Sequence, residues 1–236
     1  MKKYEFTNET RTIRDDKGIL HTVYQIRALK DFGDVHKGDL GGWLEKESNL
    51  SHEGTCWVSE NARVYDNAEV YSHARVTGDS MVYGDAWVTS SAHICDNAQV
   101  YGKASIGDAA QVYGKASIGG TAKVYGKARV YDVAWVSDDA QVYGNAQVYK
   151  GAVVRDTAQV YDNAQVYGKA SIKGTAEVYG NAQVYGTAKV FVDARVLDDA
   201  RISDGALVND KAWISDDAQV YGNAWVSDEA SIGGNA

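Results

Sequence analysis

The groups in this 236-residue chain able to move protons or hold a metal are five histidines, two cysteines and 32 carboxylates. The histidines are His21, His36, His52, His73 and His93, so none falls in the last 143 residues. His73 and His93 are the catalytic candidates: each would serve as a general base, or the two would join Cys95, two residues after His93, in a small metal cluster. The alternative is that both are solvated surface imidazoles. Cys56 and Cys95 fit neither a CxxC redox pair nor a four-ligand zinc site, so they read as reduced thiols. The carboxylates of Asp198, Asp199, Asp216 and Asp217 form the remaining candidate, a calcium-type site set against the nearby charges of Arg195 and Arg201. No cofactor is expected.

What positions these groups is a repeat of six residues. From Val58 to Ile232 in steps of six, all thirty positions are Val or Ile. From Ala62 to Ala236 every sixth residue is Ala except Ser80, with no insertion or deletion. Ala and the following Val are two apart, so on an extended strand both point to one side. Gly, Asp and Asn follow, the residue types that tolerate tight bends, which makes each hexad a short strand and a corner. Such a strand cannot bury its own face, and hexads must therefore wind into coils stacked by parallel hydrogen bonding. The chain contains no proline, as expected where nearly every backbone N–H belongs to a ladder.

A small aliphatic residue, two bend residues and Ala, repeated over 58 to 236, resembles the hexapeptide-repeat family. The resemblance implies an all-β, left-handed parallel β-helix with three hexads per triangular coil. Thirty hexads then make about ten coils, roughly 48 Å tall at ~4.8 Å per coil. Three Val or Ile and three small residues fill each coil, leaving no space for an internal ligand. Many members are acyltransferases, so the resemblance also implies a histidine base, an extruded loop and a cleft between subunits for the acyl carrier. No loop is extruded after residue 58, and the last eight coils lack histidine. The run ALKDFGDVHKGDLGGWLEKESNLSHEGTCWV at 28 to 58, with Gly41, Gly42, Trp43, Leu50, Gly54, Cys56 and Trp57, is similar to the opening segment of YdcK-type proteins of bacteria and prophages. These are labelled transferases by analogy of fold, which does not establish chemistry.

Residues 1–49 read as an N-terminal β-hairpin cap and residues 50–236 as the β-helix. The hairpin strands run from Lys3 to Ile13 and from Ile19 to Leu29, around Arg14, Asp15, Asp16, Lys17 and Gly18, with Leu20, Tyr24, Ile26 and Ala28 on one face. The GGW segment reads as a turn bringing Trp43 over the first coil. The far end stops in mid-pattern at Gly-Gly-Asn-Ala, which leaves it to a second copy or to a blunted last coil.

Positions eighteen apart stack vertically and map the surface. Tyr113, Tyr131, Tyr149, Tyr167 and Tyr185 make one outward column; Tyr125, Tyr143, Tyr161 and Tyr179 make another, and Tyr65, Tyr83 and Tyr101 a third. In-register ladders of this kind stabilise parallel strands. On one face the outward column includes Met81, Trp135, Val153, Leu207 and Trp225, two adjacent apolar pairs of the kind found in interfaces. These residues and the five-tyrosine column are the partner-binding candidates.

The net charge of -8 argues against binding nucleic acid through its phosphates. No run approaches the ~18 apolar residues of a membrane span, and MKKYEFTNET has no signal core, so a cytoplasmic protein is expected. Together these features predict a non-catalytic solenoid, phage- or prophage-encoded, that docks on and inhibits a host macromolecule, with a protein partner or a second copy on one face or on the far end. An acyl-CoA-dependent acyltransferase with a side cleft made by oligomerisation is the alternative. A carbohydrate-binding structural component is a further one.

Overall fold

The computed structural model describes residues 2–15 and 17–234; Asp16 and Ala236 of the sequence reading lie outside them. Thirty two-residue strands run from Trp57–Val58 to Ser231–Ile232, one per hexad. They fall into three parallel sheets in which every partner is eighteen residues away, for example Gln141↔Gln159 and Val142↔Val160. The fold is a parallel β-solenoid, and its interior is a single column of Val, Ile and Ala. Cys56 takes an Ala place in that column, and Ser80, the one polar substitute, donates its hydroxyl to the Thr77 carbonyl at 2.7 Å. No helix among the described residues is long and apolar enough to cross a membrane.

One residue per hexad, the second after Val, has φ between about 52° and 86°. Gly or Asp fills most of these positions, because the left-handed region costs Gly nothing and Asp little. Asp has a second use there. The Asp108 carboxylate accepts the Gly126 N–H at 3.0 Å and that of Asp156 the Gly174 N–H at 2.9 Å, satisfying a donor of the next coil.

The amino end departs from the hexads. Strands β1 (Tyr4–Arg14) and β2 (Leu20–Ala28) form the expected antiparallel hairpin, and β3 (Leu40–Leu44) pairs antiparallel with β2 and parallel with Arg63–Val64. The GGW segment is therefore a strand and not a turn, and it adds a rung that brings the solenoid to about eleven turns. Its glycines are there for close approach: a Cβ on Gly41 would sit 2.5 Å from Ile26, and one on Gly42 2.6 Å from the Ala62 carbonyl oxygen. Trp43 is buried beneath the Arg11 guanidinium, 3.9 Å above its ring.

The expected face of β2 is also corrected. Leu20 is exposed, whereas His21 and Val23 point inward with Ile26 and Ala28. The inward face changes within β2, between Val23 and Ile26, where pairing is irregular on both edges: Phe6 pairs with Ile26 but Thr10 with Tyr24, so β1 carries two extra residues, and the β2–β3 register shifts between Gln25 and Arg27. Irregular pairing of this kind bends the strands locally and re-aims their side chains. The hairpin is further tied down by Tyr4, whose hydroxyl lies 2.9 Å from the Glu47 carbonyl oxygen and 3.1 Å from that of Leu50, sharing its one proton between them. The fully buried Lys3 ammonium lies 2.9 Å from the Cys56 carbonyl oxygen and 3.2 Å from its Sγ.

Candidate functional site

The histidine candidates sit on separate supports. His73 Nδ1 lies 2.9 Å from Thr55 Oγ1, while His93, half-buried between Arg75 and Gln111 in its sheet, has Nε2 3.4 Å from Thr77 Oγ1. Burial, and then the neighbouring Arg75, lowers the His93 pKa. The Cys95 thiol is pushed up to about 11 by burial and by Asp96 and Glu60, the reverse of an activated thiolate. Asp198, Asp199, Asp216 and Asp217 do share one open corner. There Asp198 accepts the Asp216 N–H, Asp216 the Gly234 N–H and Asp199 the Asn181 side-chain amide, so three of the four carboxylates serve donors of the protein itself.

The partner candidates divide by exposure. Met81 is half-buried: β2 and β3 lay Val23 and Trp43 against Tyr65, and Met81 packs on that cluster. Trp225 is 71% exposed and donates from Nε1 to Asn209; it pairs with the half-buried Leu207. The five tyrosines from Tyr113 to Tyr185 are half-buried and stacked ring on ring at 4.8 to 5.0 Å. Tyr131 and Tyr149 donate their hydroxyls to Gln147 and Gln165, and burial pushes the Tyr131 phenol up to about 12. Because each inner ring lends both faces to its neighbours, the column has no free flat face along its length for a sugar to stack on.

Trp135 and Val153 lie in a different setting, on the sheet that carries the hairpin. The column following Val on this sheet reads Tyr65, Tyr83, Tyr101, Gly119, Ser137, Arg155, Lys173, Phe191. The aromatic ladder stops at Gly119, where a Cβ would lie 2.4 Å from the Tyr101 ring, and resumes only at Phe191. Over the missing rungs the mid-strand side chains are uncovered, and two hollows form. One, of about 560 Å³, is lined by Tyr101, Trp135, Val153 and Arg155 among others; the second, of about 610 Å³, by Lys189, Phe191, Val192 and Asp193 among others. Ser171 and Lys173 line both, so the two are one groove along the solenoid axis.

Its floor is apolar and its rim mixes the cations Arg155, Lys173 and Lys189 with Asp138, Asp156 and Asp193. Ser171 Oγ, buried in the floor, has no hydrogen-bond partner within the protein. Val192 has φ 62°, a costly conformation for a β-branched residue, and is 42% exposed at the groove end. Val192→Gly is expected to stabilise the protein by about 1 kcal/mol by relieving that strain, read as a raised melting temperature. An unchanged or lowered one would show that the side chain is held by contacts worth more than the strain. Trp135 and Val153 were legible as an exposed pair; the interruption at Gly119 and the resumption at Phe191 were the signal that would have revealed the groove.

The family model described as YdcK Beta solenoid repeat matches residues 140–156 and 218–234. A protein of Escherichia coli (strain K12), named Uncharacterized acetyltransferase YdcK, is 36% identical over 74 residues. That stretch is 30% of this chain and 23% of the relative, so under a quarter of the relative's length is matched. The chain is a parallel β-solenoid of six-residue repeats, and two stretches of it match the YdcK-type repeat.

Proposed function

We propose that the chain is a non-catalytic binding solenoid whose groove between Tyr101 and Phe191 docks a protein partner. The observation that carries this reading is the groove itself: Trp135, Val153, Phe191 and Val192 place apolar surface outward on a rigid sheet, beside three cations in a chain of net charge -8. The groove holds no nucleophile paired with a base, since Ser171 Oγ lacks any partner and the sequence has no histidine after His93. A partner segment with apolar anchors and charges of both signs at its edges matches this lining. In its fuller form the proposal makes the chain phage- or prophage-encoded and cytoplasmic, and the partner a host protein.

A photo-crosslinker introduced at position 153 is expected to capture one partner in stoichiometric yield from bacterial extract. With purified partner, Trp135→Ala should weaken binding about 10-fold or more, the scale of a central aromatic anchor. No captured partner, or undiminished binding by the variant, overturns the reading.

A second reading, acyl transfer, is favoured by the name of the relative. In it the same apolar floor receives the pantetheine arm of an acyl-CoA and the rim cations its phosphates. Acetyl-CoA turnover abolished by Ser171→Trp, which fills the groove, would replace the first reading with this one.

A further inference from the structure

His21, inward-facing on β2, meets residues far away in sequence. The imidazole, at the seam between β2 and the first coils, has a side chain only 6% exposed and lies 4.9 Å from the Tyr65 ring. Its Nδ1 is 3.0 Å from Glu45 Oε1, at the end of β3, and 3.6 Å from Asp66 Oδ1, at a solenoid corner. One donor atom from each of the three lies within 4.8 Å of the others, the only such trio of His, Cys, Asp or Glu among the described residues.

A salt bridge alone does not use this arrangement fully. Nδ1 carries at most one proton, which serves Glu45 or Asp66 but not both well. The second oxygen of each carboxylate is already held: Glu45 Oε2 accepts the Asp66 N–H at 2.6 Å, and Asp66 Oδ2 accepts the Gly84 N–H at 3.2 Å. Those bonds leave Oε1 and Oδ1 aimed at the ring nitrogen. On the other side of the ring, Nε2 is buried with no hydrogen-bond partner, and Asp15 Oδ2 stands 3.7 Å from it. Asp15 is itself fixed, because its Oδ1 accepts the N–H groups of Lys17 and Ile19.

We propose that His21, Glu45 and Asp66 bind a divalent first-row transition cation, with Asp15 orienting the imidazole. One nitrogen and two carboxylate oxygens suit Zn²⁺. Ligand distances of about 2.0 to 2.2 Å put tetrahedral donors roughly 3.3 Å apart, close to the 3.0 and 3.6 Å separations from Nδ1. A divalent ion balances the two carboxylate charges. It takes the place of the Nδ1 proton, which moves the ring proton to Nε2 and completes a carboxylate–histidine–metal line through Asp15. Glu45 and Asp66 are the partly exposed ligands, 28% and 34%, so the ion enters and keeps a water on their side. Burial disfavours protonated His21, but the Glu45 hydrogen bond and the charges of Glu45 and Asp66 outweigh it and raise its pKa; protons and metal therefore compete for one place. The bound ion fastens the hairpin to β3 and to the first corner at once. The groove, on later coils, is untouched by this site.

The test uses the full chain, stripped with a chelator and titrated with Zn²⁺ and with Co²⁺. One equivalent of Zn²⁺ bound at micromolar free metal, with a raised melting temperature and the visible bands of four-coordinate Co²⁺, is the expected result. Glu45→Gln and Asp66→Asn, each checked for native circular dichroism, should remove the Co²⁺ bands and the stoichiometric site. Asp15→Asn should weaken Zn²⁺ binding about 10- to 100-fold. Failure of the folded parent to bind, or an unchanged stoichiometry and spectrum in Glu45→Gln and Asp66→Asn, would overturn the proposal.

Discussion

A chain lacking residues 198–215, one whole coil, will fold with a melting temperature close to that of the parent, whereas a chain lacking Asn145 alone will not. The coil deletion joins Leu197 to Asp216 and rewrites Leu-Asp-Asp-Ala in place. Every later residue drops by one coil onto the same sheet, because partners are eighteen apart throughout. Removing Asn145 changes the phase by one. Either the corner at Gly144 closes with a residue too few, or the Ala and Val that follow turn outward and their outer neighbours, glutamines among them, turn in. Each course costs several kcal/mol, and at roughly 2–4 °C per kcal/mol for a chain of this size the melting temperature falls by about ten degrees or more. Deleting 198–203 is the instructive middle case: the interior pattern survives, but later outer columns move to a different sheet, so the product should fold with a smaller loss. Thermal melts by circular dichroism of the three deletions decide the matter. A coil deletion as damaging as the single-residue one would show that coils are not interchangeable units.

The second large effect comes from one carboxylate inside the column. Val142 is fully buried between Val124 and Val160, with only Val, Ile and Ala lining the interior at this level. Val142→Asp finds no donor there, and a buried unpaired charge costs several kcal/mol. Since each coil touches only its neighbours, the loss should be local: the middle of the solenoid opens while both flanks stay folded. Limited trypsin digestion reads this as early cleavage at Lys127, Arg129 and Lys150, with the distant Lys173 and Lys189 still protected. Val142→Ile is the control, since Ile holds the same register at Ile106 and Ile118, and it should change stability by less than about 1.5 kcal/mol. Uniform digestion of Val142→Asp would mean that the column melts as a single cooperative unit.

Both expectations rest on what the period of six made legible. Thirty Val or Ile in phase dictated the strands and the interior, because the interior face of each hexad admits one solution; three strands per coil came from the resemblance to hexapeptide-repeat proteins. The amino end was only partly legible. That 1–49 contains a hairpin followed from its turn residues, but the change of inward face between Val23 and Ile26 accompanies irregular pairing on both edges of β2 that no residue type announces. The cluster of Asp15, His21, Glu45 and Asp66 is built across that irregular pairing, which is why spacing alone could not assemble it. Likewise the turn expected at Gly41 and Gly42 took glycine as a bend signal, when its use is to let β3 lie against Ile26 and the first coil. In the groove Trp135 and Val153 were visible as outward residues, but its depth comes from side chains that are missing, at Gly119 and Ser137, and absences are read only against a ladder already in place.

The stacked tyrosines have an optical consequence. Tyr125, Tyr143, Tyr161 and Tyr179 hold their rings within 3° of parallel at 4.8 to 4.9 Å, and the column from Tyr113 to Tyr185 stacks at 4.8 to 5.0 Å with tilts of 3° to 13°. Aligned transition dipoles at that separation couple, so the folded molecule absorbs near-ultraviolet light as arrays of phenols and not as isolated chromophores. Unstacking any coil in the middle of a column cuts its array in two, and the molecule thereby reports, without a label, where along its length it has come apart.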